Sequence, residues 1–176
     1  VTRDPELTGT DALTIQAADA QAIVTVNGNG LDRVFDQQGN NSLSIRNLNI
    51  IGGVLTLIED GGGIRNNMGT LSVEGSTVSG NSSKYSAGGI AVYSSLSMVN
   101  STVSGNSSDG NGGGLYFPAS TGTIKSSTIT GNTADADAEG NGEGGGFDDA
   151  AATSITFFNV ILAGNRDLSP VTKSPD

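Results

Sequence analysis

The sequence predicts an all-β fold, a right-handed parallel β-helix (β-solenoid) of about six coils with roughly 26 residues in each coil. One repeated marker is a glycine that follows a short apolar strand, at positions 52, 80, 105, 131 and 164, with spacings of 28, 25, 26 and 33 residues. A second marker is a glycine pair before Ile64, Ile90, Leu115 and Phe147, with spacings of 26, 25 and 32. Both spacings lengthen together where insertions occur, so they report one structural repeat and not a low-complexity sequence.

Each repeat shows the alternation of β-strands. Leu71 and Val73 place apolar side chains on one face, with Ser72 between them on the other. Two residues after the second apolar residue of each strand, the sequence has a residue that tolerates the left-handed backbone conformation of a corner. These predicted corners are Asn47, Gly75, Asn100, Ser126 and Asn159. A second corner at the repeated glycine and a return through the glycine pair complete a predicted coil of three short strands and three bends.

Coils stacked about 4.8 Å apart bury the inward apolar side chains of each strand. The predicted inward residues run from Leu13 to Leu162 and include Val24, Val103 and Phe157. We predict a single domain over residues 1–176, whose parts are an N-terminal coil at 1–41, regular coils at 42–154, and a partial C-terminal coil with a tail at 155–176. Because the chain begins at Val1 without a methionine, we expect a fragment of a longer chain.

The composition excludes several classes of protein. The chain has 27 glycines and no histidine, cysteine or tryptophan, which excludes histidine bases, cysteine nucleophiles, disulfide scaffolds and ordinary zinc sites. Its formal net charge of −10 argues against nucleic acid or an anionic membrane as a partner. No apolar run approaches about 18 residues, so we expect no membrane insertion in this segment.

Two segments carry a resemblance to a known family. Residues 26–35, followed by residues 43–53, resemble bacterial pectin-lyase-like right-handed parallel β-helix repeat proteins. The later repeats are similar to the secreted choice-of-anchor and polymorphic-outer-membrane-protein-like surface solenoids. The resemblance implies an extracellular or cell-surface location and a chain that continues beyond residues 169–176. It implies little about activity, because most such surface proteins have no assigned chemistry.

We predict no catalytic residues. Pectate lyases of this fold use an arginine or lysine base together with acidic Ca²⁺ ligands. In this sequence the basic residues occupy different repeat positions, away from acids in register; they are Lys84, Lys125, Arg46 and Arg65. We interpret Arg33 beside Asp32 as a structural ion pair. A polysaccharide lyase or hydrolase of the pectin-lyase-like fold stays the enzymatic alternative.

One long loop is strongly acidic. Asp135, Asp137, Glu139 and Glu143 are oxygen ligands of the kind that Ca²⁺ prefers, and glycines lie between them. The spacing matches neither an EF-hand nor a calcium-binding nonapeptide repeat. We therefore expect no cofactor and interpret the loop as one that keeps a glycine-rich rod in solution, with a calcium site at these four residues as the alternative.

The outward residues of one strand column form a hydroxyl face on three coils, at positions 77 and 79, 102 and 104, and 128 and 130. Such an array is a candidate carbohydrate- or ice-binding surface, although Thr and Ser are also common on strand surfaces. Tyr93 and Tyr116 are expected near each other on adjacent coils. The function predicted from the sequence is a non-enzymatic structural or adhesin-type module, with surface glycans or other cell-surface proteins as partners.

Overall fold

The computed structural model describes residues 6–7, 11–19, 21–140, 142–151 and 154–169. These residues form an all-β solenoid in which the paired strands are parallel, and none of them is helical. The coils repeat about every 26 residues and make about five turns. The predicted parallel solenoid is therefore confirmed. The sequence-based count of about six coils included a partial last coil at residues 155–176.

The strands form four parallel sheets, three with six strands each and one with four. The first sheet contains Glu6–Leu7, Phe35–Gln37, Ile64–Asn66, Ile90–Val92, Leu115–Phe117 and Phe147–Asp149. The second sheet contains Leu13–Gln16, Ser42–Arg46, Thr70–Glu74, Ser95–Val99, Thr121–Lys125 and Ile155–Phe158. The third sheet contains Val24–Asn27, Leu48–Ile51, Thr77–Ser79, Thr102–Ser104, Thr128–Thr130 and Ile161–Ala163.

The fourth sheet was not predicted, since the sequence indicated three strands per coil. Its strands are only two residues long, and they are Ser82–Ser83, Ser107–Ser108, Thr133–Ala134 and Arg166–Asp167. Two residues are too short a segment to show an alternating pattern. Pairing with the neighbouring coil, and not local sequence, decides that they are strands.

The predicted corners between the second and third sheets are confirmed. The residues at these corners have φ angles from 47° to 57°, and they are Asn47, Gly75, Asn100, Ser126 and Asn159. The repeated glycine marks the next corner, where φ lies from 62° to 66° at positions 52, 80, 105, 131 and 164. A left-handed residue at the same two places in five successive coils makes the chain turn identically, so the strands stack in register.

The core is a continuous stack of aliphatic side chains that includes Ile64, Val78 and Val103, all fully buried. At both ends of the rod the predicted inward residues are not buried: Val24 at one end, and Phe157 and Leu162 at the other, are exposed. Their side chains lie on the predicted side of their strands. Within the described residues, however, only one neighbouring coil covers them. Burial in a solenoid requires a coil on each side.

Two polar ladders run inside the rod. Asn81 donates from Nδ2 to Oδ1 of Asn106 at 3.0 Å, and Asn106 and Asn132 repeat this contact to the next coil at 2.9 Å. The backbone N of each of these asparagines donates to the same oxygen. After the earlier corner, Ser101 likewise accepts from the backbone N of Ser76 at 3.2 Å. Each ladder satisfies buried polar groups through the neighbouring coil.

Candidate functional site

The outward face of the first sheet carries a row of polar and aromatic side chains. In each three-residue strand the middle residue points outward, because the flanking residues, such as Ile64 and Asn66, are buried. Parallel register places the middle residues of five successive coils side by side, and they are Asp36, Arg65, Ala91, Tyr116 and Asp148. Residues of the preceding loops approach this row from one side.

At one end of the row lies a network of buried charges. The guanidinium of Arg33 is 3.1 Å from Oδ2 of Asp36 and 2.9 Å from Oε2 of Glu59, and it donates to the backbone O of Asp60 at 3.0 Å. Arg65 forms a two-pronged pair with Asp36, at 2.9 Å from Nε to Oδ1 and 2.5 Å from Nη2 to Oδ2. The two arginines are therefore held by carboxylates of this network.

Opposing effects act on the pKa of Asp36. Burial raises this pKa, but hydrogen bonds from Arg65 and Gln38, together with the charge of Arg33, bring it below the ordinary value for an aspartate. Asp36 thus loses its proton at a lower pH than an ordinary aspartate does.

The sequence predicted that the basic residues do not lie beside acidic residues of neighbouring coils. The structure shows that this prediction is wrong. Arg65 lies directly across from Asp36, Arg46 pairs with its cross-strand partner Glu74 at 3.4 Å, and Lys84 pairs with Asp109 at 2.6 Å. The sequence missed these three pairs because their members are 29, 28 and 25 residues apart, and only the stacking of the coils brings them together.

Arg33 was predicted to form an ion pair with the adjacent Asp32, but its guanidinium pairs with Asp36 and Glu59. Oδ1 of Asp32 accepts a hydrogen bond from the backbone N of Arg33 at 2.8 Å, while the guanidinium reaches Asp36 and Glu59. Asp32 thus organises the turn, and Arg33 joins two coils.

Asp60 is a buried carboxyl between this network and the tyrosines. Its Oδ1 accepts from the backbone N of Ser86 at 2.9 Å, and its Oδ2 accepts from the hydroxyl of Tyr93. Burial raises the pKa of Asp60, which the Ser86 hydrogen bond and the charges of Arg65 and Arg33 offset only in part.

All three tyrosines of the chain face this region. Tyr93 is bonded to Asp60, and burial together with the charges of Asp60, Tyr85 and Asp148 raises the pKa of Tyr116. Tyr85 and Tyr93 are exposed, and Tyr116 is half-buried. We call this surface, formed by Asp60, Tyr85, Tyr93, Tyr116 and Asp148, the tyrosine face. Tyr93 and Tyr116 were expected near each other, and both lie near Asp60: the Tyr93 hydroxyl donates to it, and its charge contributes to the raised pKa of Tyr116.

Asp148 completes the tyrosine face. Burial raises its pKa, the nearby charges of Glu143 and Asp149 raise it further, and a hydrogen bond with the Asn111 side chain offsets this only in part. One of its oxygens, Oδ2, is buried and has no hydrogen-bond partner among the residues that the structure describes. The turn before this strand fits closely, because a Cβ on Gly144 would lie 2.9 Å from Cβ of Asp148. Only glycine permits this approach, and φ at Gly144 is 69°.

The four predicted calcium ligands have different environments. Asp135 is buried, and both of its carboxylate oxygens accept from the backbone N of Gly140 at 3.0 Å. Asp137, Glu139 and Glu143 are exposed. Across the described ranges no group of three or more acids is arranged to hold a metal ion. The visible role of Asp135 is to close the loop, and calcium binding stays a prediction.

The hydroxyl face on the third sheet has the predicted register, with Thr102 between Thr77 and Thr128. A longer hydroxyl array that the sequence analysis missed lies on the second sheet, where the outward residues are Ser44, Ser72, Ser97, Thr123 and Thr156. A parallel column two residues earlier consists of Ser42, Thr70, Ser95 and Thr121. The signal was present as a Ser or Thr on each side of the first inward residue, in five of the six strands of this sheet.

In the described part of the chain, no helix is long and apolar enough to cross a membrane. Comparisons with protein-family models, curated proteins and solved structures found no match to this chain.

Proposed function

We propose that this chain is a non-enzymatic, cell-surface structural module of adhesin type that contacts glycans through the tyrosine face. The observation that carries the proposal is the convergence of all three tyrosines on a surface with an unpartnered, buried carboxylate oxygen, Oδ2 of Asp148. Aromatic rings offer apolar faces for stacking on sugar rings, and carboxylates accept hydrogen bonds from sugar hydroxyls.

The structural part of the proposal is supported by the internal ladders. Asparagine and serine side chains tie each coil to the next, which favours a stiff rod over a hinged molecule. The resemblance to pectin-lyase-like and choice-of-anchor solenoids supports a secreted bacterial protein at the cell surface. Other cell-surface proteins are the second class of partner that a rod of this kind would serve.

The charge of the tyrosine face favours a neutral sugar or an amino sugar as ligand. Asp60 and Asp148 line the face, and Glu143 and Asp149 are close enough to raise the pKa of Asp148. The nearby cations, Arg33 and Arg65, are engaged by Asp36 and Glu59. A uronate would meet carboxylates, and its like charge disfavours binding.

The test is a binding titration with neutral oligosaccharides, chitosan oligosaccharides and oligogalacturonate. We expect binding of one of the first two, weakened about tenfold by Tyr85→Ala and unchanged by Thr102→Ala on the third sheet. A tenfold loss of affinity corresponds to about 1.4 kcal/mol of binding free energy, which is within the range of one aromatic contact. Binding only of the uronate, or equal loss in both variants, contradicts the proposal.

A polysaccharide hydrolase or lyase is the second candidate. It is favoured by Asp60 and Asp148, two carboxyls whose pKa values burial raises toward the range of a general acid. Against it, the arginines that would neutralise a uronate are tied to Asp36.

The second-sheet hydroxyl array favours a third candidate, binding to an ordered surface such as crystalline polysaccharide or ice. The strand spacing of about 4.8 Å sets the repeat of such an array. Thermal hysteresis of the freezing point tests the ice reading directly.

A further inference from the structure

Asp60 is held in place by both its backbone and its side chain. Its backbone O accepts from Nη2 of Arg33 at 3.0 Å, and the same guanidinium is paired with Glu59 at 2.9 Å. The residue is only 7% exposed, and its Oδ1 accepts from the backbone N of Ser86 at 2.9 Å. Asp60 is therefore a fixed acceptor that joins three successive coils, and its other oxygen, Oδ2, binds the hydroxyl of Tyr93.

Tyr93 reaches this acceptor by lying back along its own strand. It follows the strand Ile90–Val92, and its backbone N donates to the backbone O of Asn66 at 2.8 Å. Asp60, by contrast, is bonded to Ser86, which precedes the same strand. The side chain of Tyr93 therefore runs along the outer face of the strand to bring its hydroxyl to Oδ2 of Asp60.

The outward residue of this strand is small enough to permit the arrangement. Ala91 lies between Arg65 and Tyr116 of the neighbouring coils, yet its exposed fraction is zero. A Cβ on Gly61 would lie 3.2 Å from Cβ of Ala91, so the loop that carries Asp60 rests directly on this residue. A longer side chain at Ala91 would occupy the space in which the loop and the tyrosine meet.

The turn that presents the backbone N of Ser86 is strained. Ala87, the next residue, is fully buried and has a φ of 53°. The corresponding residues of the neighbouring coils are glycines, at positions 61, 112 and 144. A left-handed residue other than glycine persists only where the surrounding structure holds it, and such residues cluster at functional sites. In this coil the strain lies at the support of Asp60.

We propose that Asp60 is the positioning residue of the tyrosine face, and that the Tyr93 ring it holds is the platform on which the pyranose ring of a neutral sugar or an amino sugar stacks. The inference rests on the proposed function and names the ring that is ordered before the ligand arrives. Tyr93 is 37% exposed although its hydroxyl is bound, so the ring faces solvent in a fixed orientation. A ring that is already ordered loses less conformational entropy on binding.

The test is a double-mutant cycle on the full chain, titrated with neutral oligosaccharides and chitosan oligosaccharides. Tyr93→Phe keeps the ring and removes its hydroxyl, whereas Asp60→Ala removes the acceptor. Each is expected to weaken binding about threefold to tenfold, the cost of ordering one side chain. The double variant is expected to bind no more weakly than either single variant, since both remove one interaction. Asp60→Asn, whose amide can still bond to the hydroxyl, is expected to keep most of the affinity.

A second measurement needs no ligand. The chain has three tyrosines and no tryptophan, so tryptophan does not obscure the tyrosine band of its near-ultraviolet circular dichroism. This band requires fixed packing of the rings. Asp60→Ala is expected to weaken the band in the unaltered chain and to leave it unchanged when Tyr93→Phe is already present. The control is Ile45→Val, in the core behind the second sheet, which lowers stability and is expected to keep both the band and the affinity.

The outcomes distinguish this proposal from the proposed function. Binding that Tyr85→Ala weakens, but that Tyr93→Phe and Asp60→Ala leave unchanged, overturns the positioning role and keeps the glycan site. Additive losses in the double variant, or a tyrosine band that Asp60→Ala does not change, also overturn it. If no sugar binds while the band still depends on Asp60, the proposed function is wrong and Tyr93 is not a sugar platform. Far-ultraviolet circular dichroism establishes folding, and Tyr93→Phe alone decides the matter if Asp60→Ala does not fold.

Discussion

At the scale of single residues, the side of the strand on which a side chain lies decides its importance. Val103 is fully buried between Val78 and Ile129 in neighbouring coils, whereas Thr102 beside it is half-buried on the outward face. Neighbouring positions therefore have opposite sensitivities to substitution.

Val103→Asp is expected to unfold the rod, because an unpaired charge in this thin core costs several kcal/mol. Thr102→Ala is expected to change the free energy of unfolding by about half a kcal/mol or less. Urea denaturation followed by circular dichroism measures both. Similar effects of the two substitutions would mean that the strand faces the opposite way.

Asp60 makes stability depend on pH. Its pKa is raised in the folded chain, so its contribution is fully present below the ordinary pKa of 3.8 and is lost as pH rises through the folded value. The amide of Asp60→Asn can still form hydrogen bonds with the backbone N of Ser86 and the hydroxyl of Tyr93, but it does not ionise. We expect a flatter dependence of the free energy of unfolding on pH above 3.8.

Asp148 acts in the same direction, so Asp60→Asn with Asp148→Asn is expected to flatten the profile further. Asp36 has the opposite sign, because its pKa is lowered, and its contribution is lost only as pH falls below 3.8. Urea denaturation at a series of pH values gives the profile. An unchanged profile in the double variant would show that these carboxyls are not perturbed by burial.

At the scale of structural elements, the asparagine ladder links the coils through hydrogen bonds that no single coil can form. Asn106 accepts from the backbone N and Nδ2 of Asn81, and donates to Oδ1 of Asn132 and the backbone O of Val78. All four contacts are buried, so their loss leaves polar groups without partners.

Asn106→Ala is expected to destabilise the rod by at least about 2 kcal/mol, because several buried groups lose their partners together. The matched control is Asn165→Ala in the last described coil, where the ladder is partly exposed and fewer contacts are lost. Thermal and urea denaturation of both variants measure the difference. Equal losses would mean that burial within the stack does not strengthen the ladder.

The acidic loop is a second element that can be tested. Because Asp135 is buried and bonded to Gly140, we expect 10 mM Ca²⁺, about the upper range for weak extracellular sites, to leave the melting temperature unchanged. A rise that disappears in Asp137→Asn would instead establish the calcium site. Mg²⁺ at the same concentration controls for general screening of the acidic surface.

At the scale of the whole molecule, we expect no turnover of polysaccharides. A lyase needs a base near neutral pH beside groups that stabilise the developing anion, and Arg33 and Arg65 are held by Asp36 and Glu59. Assays for unsaturated products and new reducing ends, on pectate, alginate and neutral glycans, are expected to stay flat with and without Ca²⁺. Activity that survives repurification and is lost in Asp60→Asn would contradict this expectation.

The amino-acid sequence by itself determined the repeat, the corners and the inward residues. Left-handed corners such as Gly75 and Asn100 are local properties of the backbone, and the alternation around Val103 extends over only a few residues. Glycine spacing then reveals where one coil ends and the next begins. None of these features requires knowledge of which residues from distant parts of the chain meet.

Only the tertiary structure decided the contacts between coils. Arg33 meets Glu59 across 26 residues and Tyr93 meets Asp60 across 33, and the two-residue strands of the fourth sheet exist only through their partners. The exposure of Phe157 and Leu162 depends on whether another coil covers them. Loops of unequal length set which outward side chains become neighbours, and their lengths do not reveal how the extra residues are accommodated. The charge network and the tyrosine face therefore emerged from stacking and not from local pattern.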